Sequence, residues 1–130
     1  MSTPIKTVGV CGAAGTMGAG IAIVAARAGY ETVCYDVLAE ALEASRGHTE
    51  AFFDRSVERG RMSQEDRDAA LSRMTRVTAL DALAGCDLVI EAVFEELSVK
   101  QALFRTLDRI CAEQTIFASN TSTLSITEIA

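Results

Sequence analysis

Basic side chains are in the minority: 12 Lys and Arg stand against 18 Asp and Glu, for a net charge of −6 and a pI near 4.7. Binding nucleic acid or an anionic membrane surface needs clustered Lys and Arg, so neither is expected as a partner. Histidine occurs once, at His48, and Cys11, Cys34, Cys86 and Cys111 form no C-x-x-C pair and have no histidine near them in sequence. That pattern argues against a metal site and reads as reduced, buried small residues. The N-terminal M-S-T-P-I-K has neither an apolar signal core nor an Arg-rich amphipathic stretch. No apolar run approaches the ~20 residues needed to span a bilayer, and a cytoplasmic setting is expected. Repeats, low-complexity tracts and linkers are lacking too. The 130 residues, 49% hydrophobic and 23% charged, read as one domain with a sizeable core.

What the chain does have is glycine in one place. Gly12, Gly15, Gly18 and Gly20 fall within nine residues, after an apolar run (Ile5, Val8, Val10) and before an Ala-rich pattern in which Met17, Ile21, Val24 and Ala28 recur at helical spacing. Strand, glycine turn and helix in this order make a nucleotide diphosphate site: the glycines allow the sharp reversal, and the helix N-terminus offers free N–H groups and a positive dipole end to the anion. A Gly-rich turn alone is also compatible with a flexible loop; the flanking strand and helix favour the binding site. Gly29 ends the helix. The next strand, Thr32 to Tyr35, leads into Asp36, 18 residues past Gly18. A carboxylate there can accept from both ribose hydroxyls and repels a 2′-phosphate, which selects NAD over NADP. Asp36 can equally serve as N-cap of the helix beginning near Leu38, and one residue can fill both roles.

The helical pattern after Asp36 has Leu38, Leu42, Phe52, Phe53 and Val57 as expected buried positions, broken by Gly60. Ser63 and Asp66 resemble a capping box and open a second helix carrying Ala70, Leu71 and Met74. His48, in the polar R-G-H-T-E segment, reads as a surface residue. A short third strand begins at Val77, and Asp81 to Ala84 forms one helical turn stopped by Gly85. Asp87 to Val93, nearly all apolar, reads as a strand covered on both faces. It ends in F-E-E-L-S-V-K, charged residues at the edge where open α/β sheets bind ligands. Leu97 to Cys111 is an amphipathic helix with Val99, Leu103, Phe104, Leu107 and Ile110 as its stripe. A fifth strand, Thr115 to Ala118, delivers S-N-T-S-T to the same edge, and Ser125 with Glu128 caps a further helix. The fold class is therefore α/β, a Rossmann-type doubly wound parallel sheet ordered 3-2-1-4-5, its ligand crevice between the first and fourth strands.

Gly15 to Ala22, G-T-M-G-A-G-I-A, resembles the 3-hydroxyacyl-CoA dehydrogenase family, although Gly12 and Gly15 are spaced G-x-x-G where the family has G-x-G. The longer spacing also occurs in short-chain-type reductases, so the turn leaves the family and its own loop path open. The segments R-M-S-Q-E-D-R-D-A-A-L, D-L-V-I-E-A-V-F-E and A-S-N-T-S-T-L-S-I-T-E-I-A extend the resemblance to that family's N-terminal NAD-binding domain over essentially the whole chain. The resemblance implies NAD as cofactor and an acyl-CoA substrate, with (3S)-3-hydroxyacyl-CoA oxidised reversibly to 3-oxoacyl-CoA. It implies roles for Gly12, Gly15, Thr16, Met17 and Gly18 at the pyrophosphate and Asp36 at the adenosine ribose. Glu95 and Lys100 would line the crevice, Asn120 would lie beside the nicotinamide, and Ser122 would bond the substrate's 3-oxygen. It also implies a CoA contact for the helices after Asp36, a homodimeric whole protein, and a chain cut inside its cofactor domain. The family's H-F-F-N-P histidine, its partner Glu and its helical C-terminal domain all follow later.

Each assignment has a plainer alternative. Glu95 and Lys100 can be a solvated pair flanking a helix start, worth ~0 to 1 kcal/mol, and the hydroxyl cluster can satisfy backbone groups at a turn. At the level of the whole protein, the alternatives are another hydroxy acid dehydrogenase built on the same turn, or an NAD-binding or structural protein that keeps the fold without the chemistry.

Overall fold

Short runs of β-branched and small apolar residues, separated by glycine-punctuated helical patterns, form five strands in the computed structural model. The structure describes residues 5–92 and 97–119, with the side chains of residues 97–100 and 119 left out. The elements are β1 (Thr7–Cys11), α1 (Thr16–Arg27), β2 (Glu31–Tyr35), α2 (Ala39–Glu58), α3 (Gln64–Ser72), β3 (Met74–Val77), a 3-10 turn (Leu80–Leu83), β4 (Leu88–Glu91), α4 (Leu97–Ile110) and β5 (Ile116–Ser119). All four pairings are parallel and the order is β3-β2-β1-β4-β5, as the alternation of elements predicts. The direction of winding reverses between β1 and β4, the place where open α/β sheets leave a crevice at their carboxyl edge.

Each face of the sheet has its own core. Val8, Val10 and Cys34 pack with Ala22, Ala25 and Leu42 under α1 and α2. On the opposite face Cys11, Val89, Leu83 and Cys86 pack with Phe104 and Leu107 of α4. Gly9 makes that second layer possible: a Cβ on it would stand 2.8 Å from Leu83 Cδ2 and 3.0 Å from Cys86 Sγ. Phe53, Ala26 and Ala70 join α1, α2 and α3 in a third cluster. Ser63 Oγ accepts from the Asp66 N–H at 3.0 Å, which starts α3 as the capping pattern predicts. Arg73 donates from Nη1 to the Ala26 carbonyl at 2.9 Å and so closes the C-terminal end of α1.

Helix α1 meets the sheet through its small residues, and two burial expectations near α2, Leu38 and Phe52, are corrected. The side of α1 turned to the core is Gly18, Ala22, Ala25 and Ala26, whereas Met17 is 59% and Val24 68% exposed. Close approach of a helix to the sheet favours its small residues. The larger ones, with Ile5, Val8, Ile21, Tyr30, Leu88 and Ile90, line an apolar groove of about 470 Å³ beside β4. Leu38 is 62% exposed because it is the N-cap of α2, not a member of its inner face. Phe53 is buried and Phe52 exposed, since neighbouring helical residues point about 100° apart. β3 starts at Met74 and ends at Val77, the residue expected to begin it. Thr32 N–H reaches the Arg73 carbonyl at 2.8 Å, so pairing with β2 begins as soon as α3 stops. β4 likewise starts at Leu88, α4 stops at Ile110, and β5 runs Ile116–Ser119, each displaced by a residue or so from its expected bound. Val93, expected in β4, lies outside the described residues, as does the helix expected after Ser125.

Asp87 connects the two central strands at their opposite end. Its Oδ2 accepts from the Lys6 N–H at 2.9 Å and the Thr7 N–H at 3.0 Å. These two backbone donors hold its carboxyl below the usual aspartate range. A carboxyl whose pKa is lower folded than unfolded adds stability above its unfolded value and loses it as pH falls through the folded one. Asp87→Asn is therefore expected to melt below wild type at neutral pH, with the gap closing as the pH drops below about 4. Thermal unfolding of both proteins across that window checks it; a gap that persists undiminished in acid overturns the assignment.

Candidate dinucleotide site at the carboxyl edge of the sheet

The turn from β1 into α1 is held by its own backbone and by β2. Gly12 has φ +81°, a conformation that favours glycine. The N–H groups of Gly12 and Ala13 both donate to the Tyr35 carbonyl at 3.0 Å, and that of Gly15 donates to the Gly12 carbonyl at 3.1 Å. Asp36 extends the same connection. Its Oδ2 accepts from the Ala14 N–H at 3.1 Å, and its Oδ1 from the Leu38 N–H at 3.4 Å. The carboxylate thus joins the two turns at the ends of β1 and β2, and its remaining lone pairs are available to a ribose diol. The link to Leu38 is a turn contact two residues on; Leu38 itself stands at the N-cap of α2. Ser45, which sequence reasoning passed over, donates from its buried hydroxyl on α2 to the Ala13 carbonyl at 3.5 Å. Its only signal is its place on the same helical face as Leu42 and Thr49.

The glycines differ in what requires them. A Cβ on Gly18 would stand 2.0 Å from the Gly12 carbonyl oxygen, so the helix can meet the turn only if Gly18 is bare. Gly15, the N-cap of α1, has φ −76° and ψ 162°, open to any residue, and an added Cβ would sit 3.5 Å from the Gly12 oxygen. Neither backbone conformation nor internal space asks for glycine at position 15. Lacking a side chain, Gly15 leaves the first turn of α1, Thr16 and Met17 onward, open to an approaching anion. This arrangement fits a dinucleotide pyrophosphate.

Across the switch point, the Ala92 N–H donates to the Cys11 carbonyl at 2.9 Å, tying the exit of β4 to the start of the glycine turn. Glu91, which the sequence reading placed only within a strand, is fully buried beside it. Lys100 lies in the first turn of α4, with its side chain outside the described residues. Glu95, Asn120 and Ser122 also fall outside them. Cys11 is pushed up to about 12, first by burial and then by Glu91, and burial lifts Cys34 and Cys86 to about 11. These thiols stay protonated and are not nucleophiles. Among the described residues no group of three His, Cys, Asp or Glu is placed to hold a metal ion, and no helix is long and apolar enough to cross a membrane. His48 is exposed on α2, in a groove of about 730 Å³ between α1 and α2 that also has Arg27, Phe52 and Arg55 on its walls.

The two glycines give opposite expectations for stability. Replacing an interior helical glycine by alanine ordinarily gains about 1 kcal/mol, but Gly18→Ala is expected to cost on the order of 1 to 3 kcal/mol because its Cβ overpacks the turn. Gly15→Val is expected to melt close to wild type. Denaturant unfolding of the two variants is the check, and a stabilised Gly18→Ala contradicts the close contact.

Similarity to known proteins agrees with this geometry. The family described as 3-hydroxyacyl-CoA dehydrogenase, NAD binding domain, matches residues 7–130. The 3-hydroxyadipyl-CoA dehydrogenase of Escherichia coli (strain K12) is 46% identical over 130 residues, all of this chain and 27% of that protein. A probable 3-hydroxybutyryl-CoA dehydrogenase of Bacillus subtilis (strain 168) is 43% identical over 126 residues, 97% of this chain and 44% of the relative. The crystal structure of a 3-hydroxybutyryl-CoA dehydrogenase from Escherichia coli K12 superposes with a TM-score of 0.94 at 46% identity, over 98% of this chain and 27% of that one. The chain thus spans less than half the length of each of these proteins. With its glycine turn, switch point and strand order all in place, it belongs to the 3-hydroxyacyl-CoA dehydrogenase family and corresponds to that family's NAD-binding domain.

Proposed function

We propose that this chain is the incomplete NAD-binding domain of an enzyme that oxidises (3S)-3-hydroxyacyl-CoA to 3-oxoacyl-CoA, reversibly, in the cytoplasm and as a homodimer. The observation that carries the reading is the carboxylate of Asp36 joined to the glycine turn through the Ala14 N–H at 3.1 Å. It presents an acceptor for the adenosine ribose beside the open N-terminus of α1, at the carboxyl edge of a parallel sheet. The start of α1 at Thr16 and Met17 would receive the pyrophosphate, with Gly12 and Gly18 shaping the turn and Gly15 bare so that the phosphates can approach the backbone. Bound NAD+ supplies the hydride acceptor. Glu95, Lys100 and Asn120 would serve the crevice on the nicotinamide side, and Ser122 would donate to the substrate's 3-oxygen.

Hydride can leave carbon only as the hydroxyl proton is taken up, which needs a base within hydrogen-bond reach of that oxygen. A serine hydroxyl at its ordinary pKa polarises the oxygen but does not accept the proton. His48, the only histidine, is exposed on α2. The 130 residues by themselves are therefore expected to bind NAD but not to turn over, since general base catalysis contributes ~10²- to 10⁴-fold and an uncovered cleft admits water. Following NADH absorbance with acetoacetyl-CoA tests this. Turnover that disappears in His48→Ala would overturn it.

Cofactor choice separates the two tasks of Asp36. Asp36→Asn keeps an acceptor for the Ala14 N–H but removes the charge, so it is expected to bind NADP more nearly as well as NAD. Asp36→Ala loses both and is expected to weaken NAD binding by ~1 to 3 kcal/mol, the range for charge-assisted bonds left unmade. Calorimetric titration of both cofactors decides, and equal affinity of the wild type for NAD and NADP would contradict the reading.

A further inference from the structure

Glu91 is the last residue of β4 and is 0% exposed. It shares its side of the strand with Val89, which packs in the apolar layer with Leu83, Phe104 and Leu107. A carboxylate in such a layer is costly to bury and is kept only where it is well hydrogen-bonded, whereas an apolar side chain of similar size would pack there at no such cost. No buried side-chain nitrogen or oxygen among the described residues lacks a hydrogen-bond partner, so this carboxylate is held as well as buried. Its position in the sheet is specific. In register, Glu91 stands between Cys11, the residue immediately before the glycine turn, and Ser119, the last residue of β5. It therefore sits at the switch point where the winding reverses, beneath the edge at which a dinucleotide crosses from one half of the sheet to the other. The residue after it, Ala92, is bonded to the Cys11 carbonyl at 2.9 Å.

We propose that Glu91 is a positioning residue: its buried carboxylate fixes the exit of β4 against the ends of β1 and β5, and thereby shapes the half of the crevice that receives the nicotinamide nucleotide. Its action is indirect, through the backbone at Ala92 and Cys11. The adenosine half of the site rests on Asp36 and the β1 to β2 side, and does not depend on it. The proposal builds on the NAD-binding reading above, and the test separates the two by comparing NAD with ADP-ribose, which lacks the nicotinamide.

In the protein, Glu91→Leu is expected to lose roughly tenfold in NAD affinity by calorimetry while ADP-ribose affinity stays within about twofold of wild type. Glu91→Gln, which retains an acceptor of the same length, is expected to restore most of the NAD affinity. If Glu91→Leu does not fold, Glu91→Asp, with its carboxylate withdrawn by one methylene, reads the same ratio of NAD to ADP-ribose affinity. Unchanged NAD affinity, or equal losses for NAD and ADP-ribose, would overturn the proposal and make Glu91 a structural residue. A wild type that binds neither ligand would instead overturn the NAD-binding reading itself.

Discussion

The close contact between α1 and the turn that precedes it governs the rest of this structure. With the Gly12 carbonyl only 2.0 Å from where a Cβ of residue 18 would lie, the helix is drawn down onto the end of β1, and two things follow. The first turn of α1 is presented at the carboxyl edge with no side chain at its N-cap, and the face of α1 that meets the sheet must be built of alanines. The positive φ of Gly12 lets the chain leave the strand in that direction. β2 completes the arrangement from outside, because the Tyr35 carbonyl and the Asp36 carboxylate take up the N–H groups of Gly12, Ala13 and Ala14. Donors inside the turn are spent on holding its shape, and the start of α1 lies beyond them at the carboxyl edge.

The two faces of the sheet are covered unequally. α4, the 3-10 turn and Gly9 make a tight layer on one side, with Phe104 and Phe117 edge to face at 5.6 Å between ring centroids. On the other side α1, α2 and α3 gather over β1, β2 and β3, while Leu88 and Ile90 of β4 border the groove that also exposes Met17 and Val24. A parallel sheet is normally buried on both faces. In the described part of this one the side under α4 is closed over β1 and β4, whereas Thr75 of β3 on that same side is exposed.

Much of this was legible in the residues themselves. The order strand, glycine turn, helix, acidic residue is carried by local chemistry: glycine where φ is positive or space is lacking, β-branched residues in strands, and a carboxylate at the end of β2. Capping by Ser63 was readable for the same reason, since an N-cap bond spans only three residues. The alternation of five strands with helices then implied the order β3-β2-β1-β4-β5 through the handedness of crossovers. Not legible was any environment decided by distant segments. Met17 and Val24 have helical spacing and are apolar, but the sheet accepts only the small side of α1, and periodicity alone does not say which side that is.

The sequence by itself determined the kind of fold and the kind of ligand, because both follow from backbone conformations and side-chain patterns set within a few positions along the chain. Only the tertiary structure decided which role each glycine plays, that Ser45 reaches the Ala13 carbonyl from 32 residues away, and that Glu91 is enclosed while Leu38 is not. Burial is a property of what packs against a residue from elsewhere in the chain. Glu91 looks like one more polar interruption of a strand until β1, β5 and α4 are placed around it. The physical reason for the division is that hydrogen bonds across a turn act at short sequence separation, whereas desolvation is settled by the whole assembly of strands and helices.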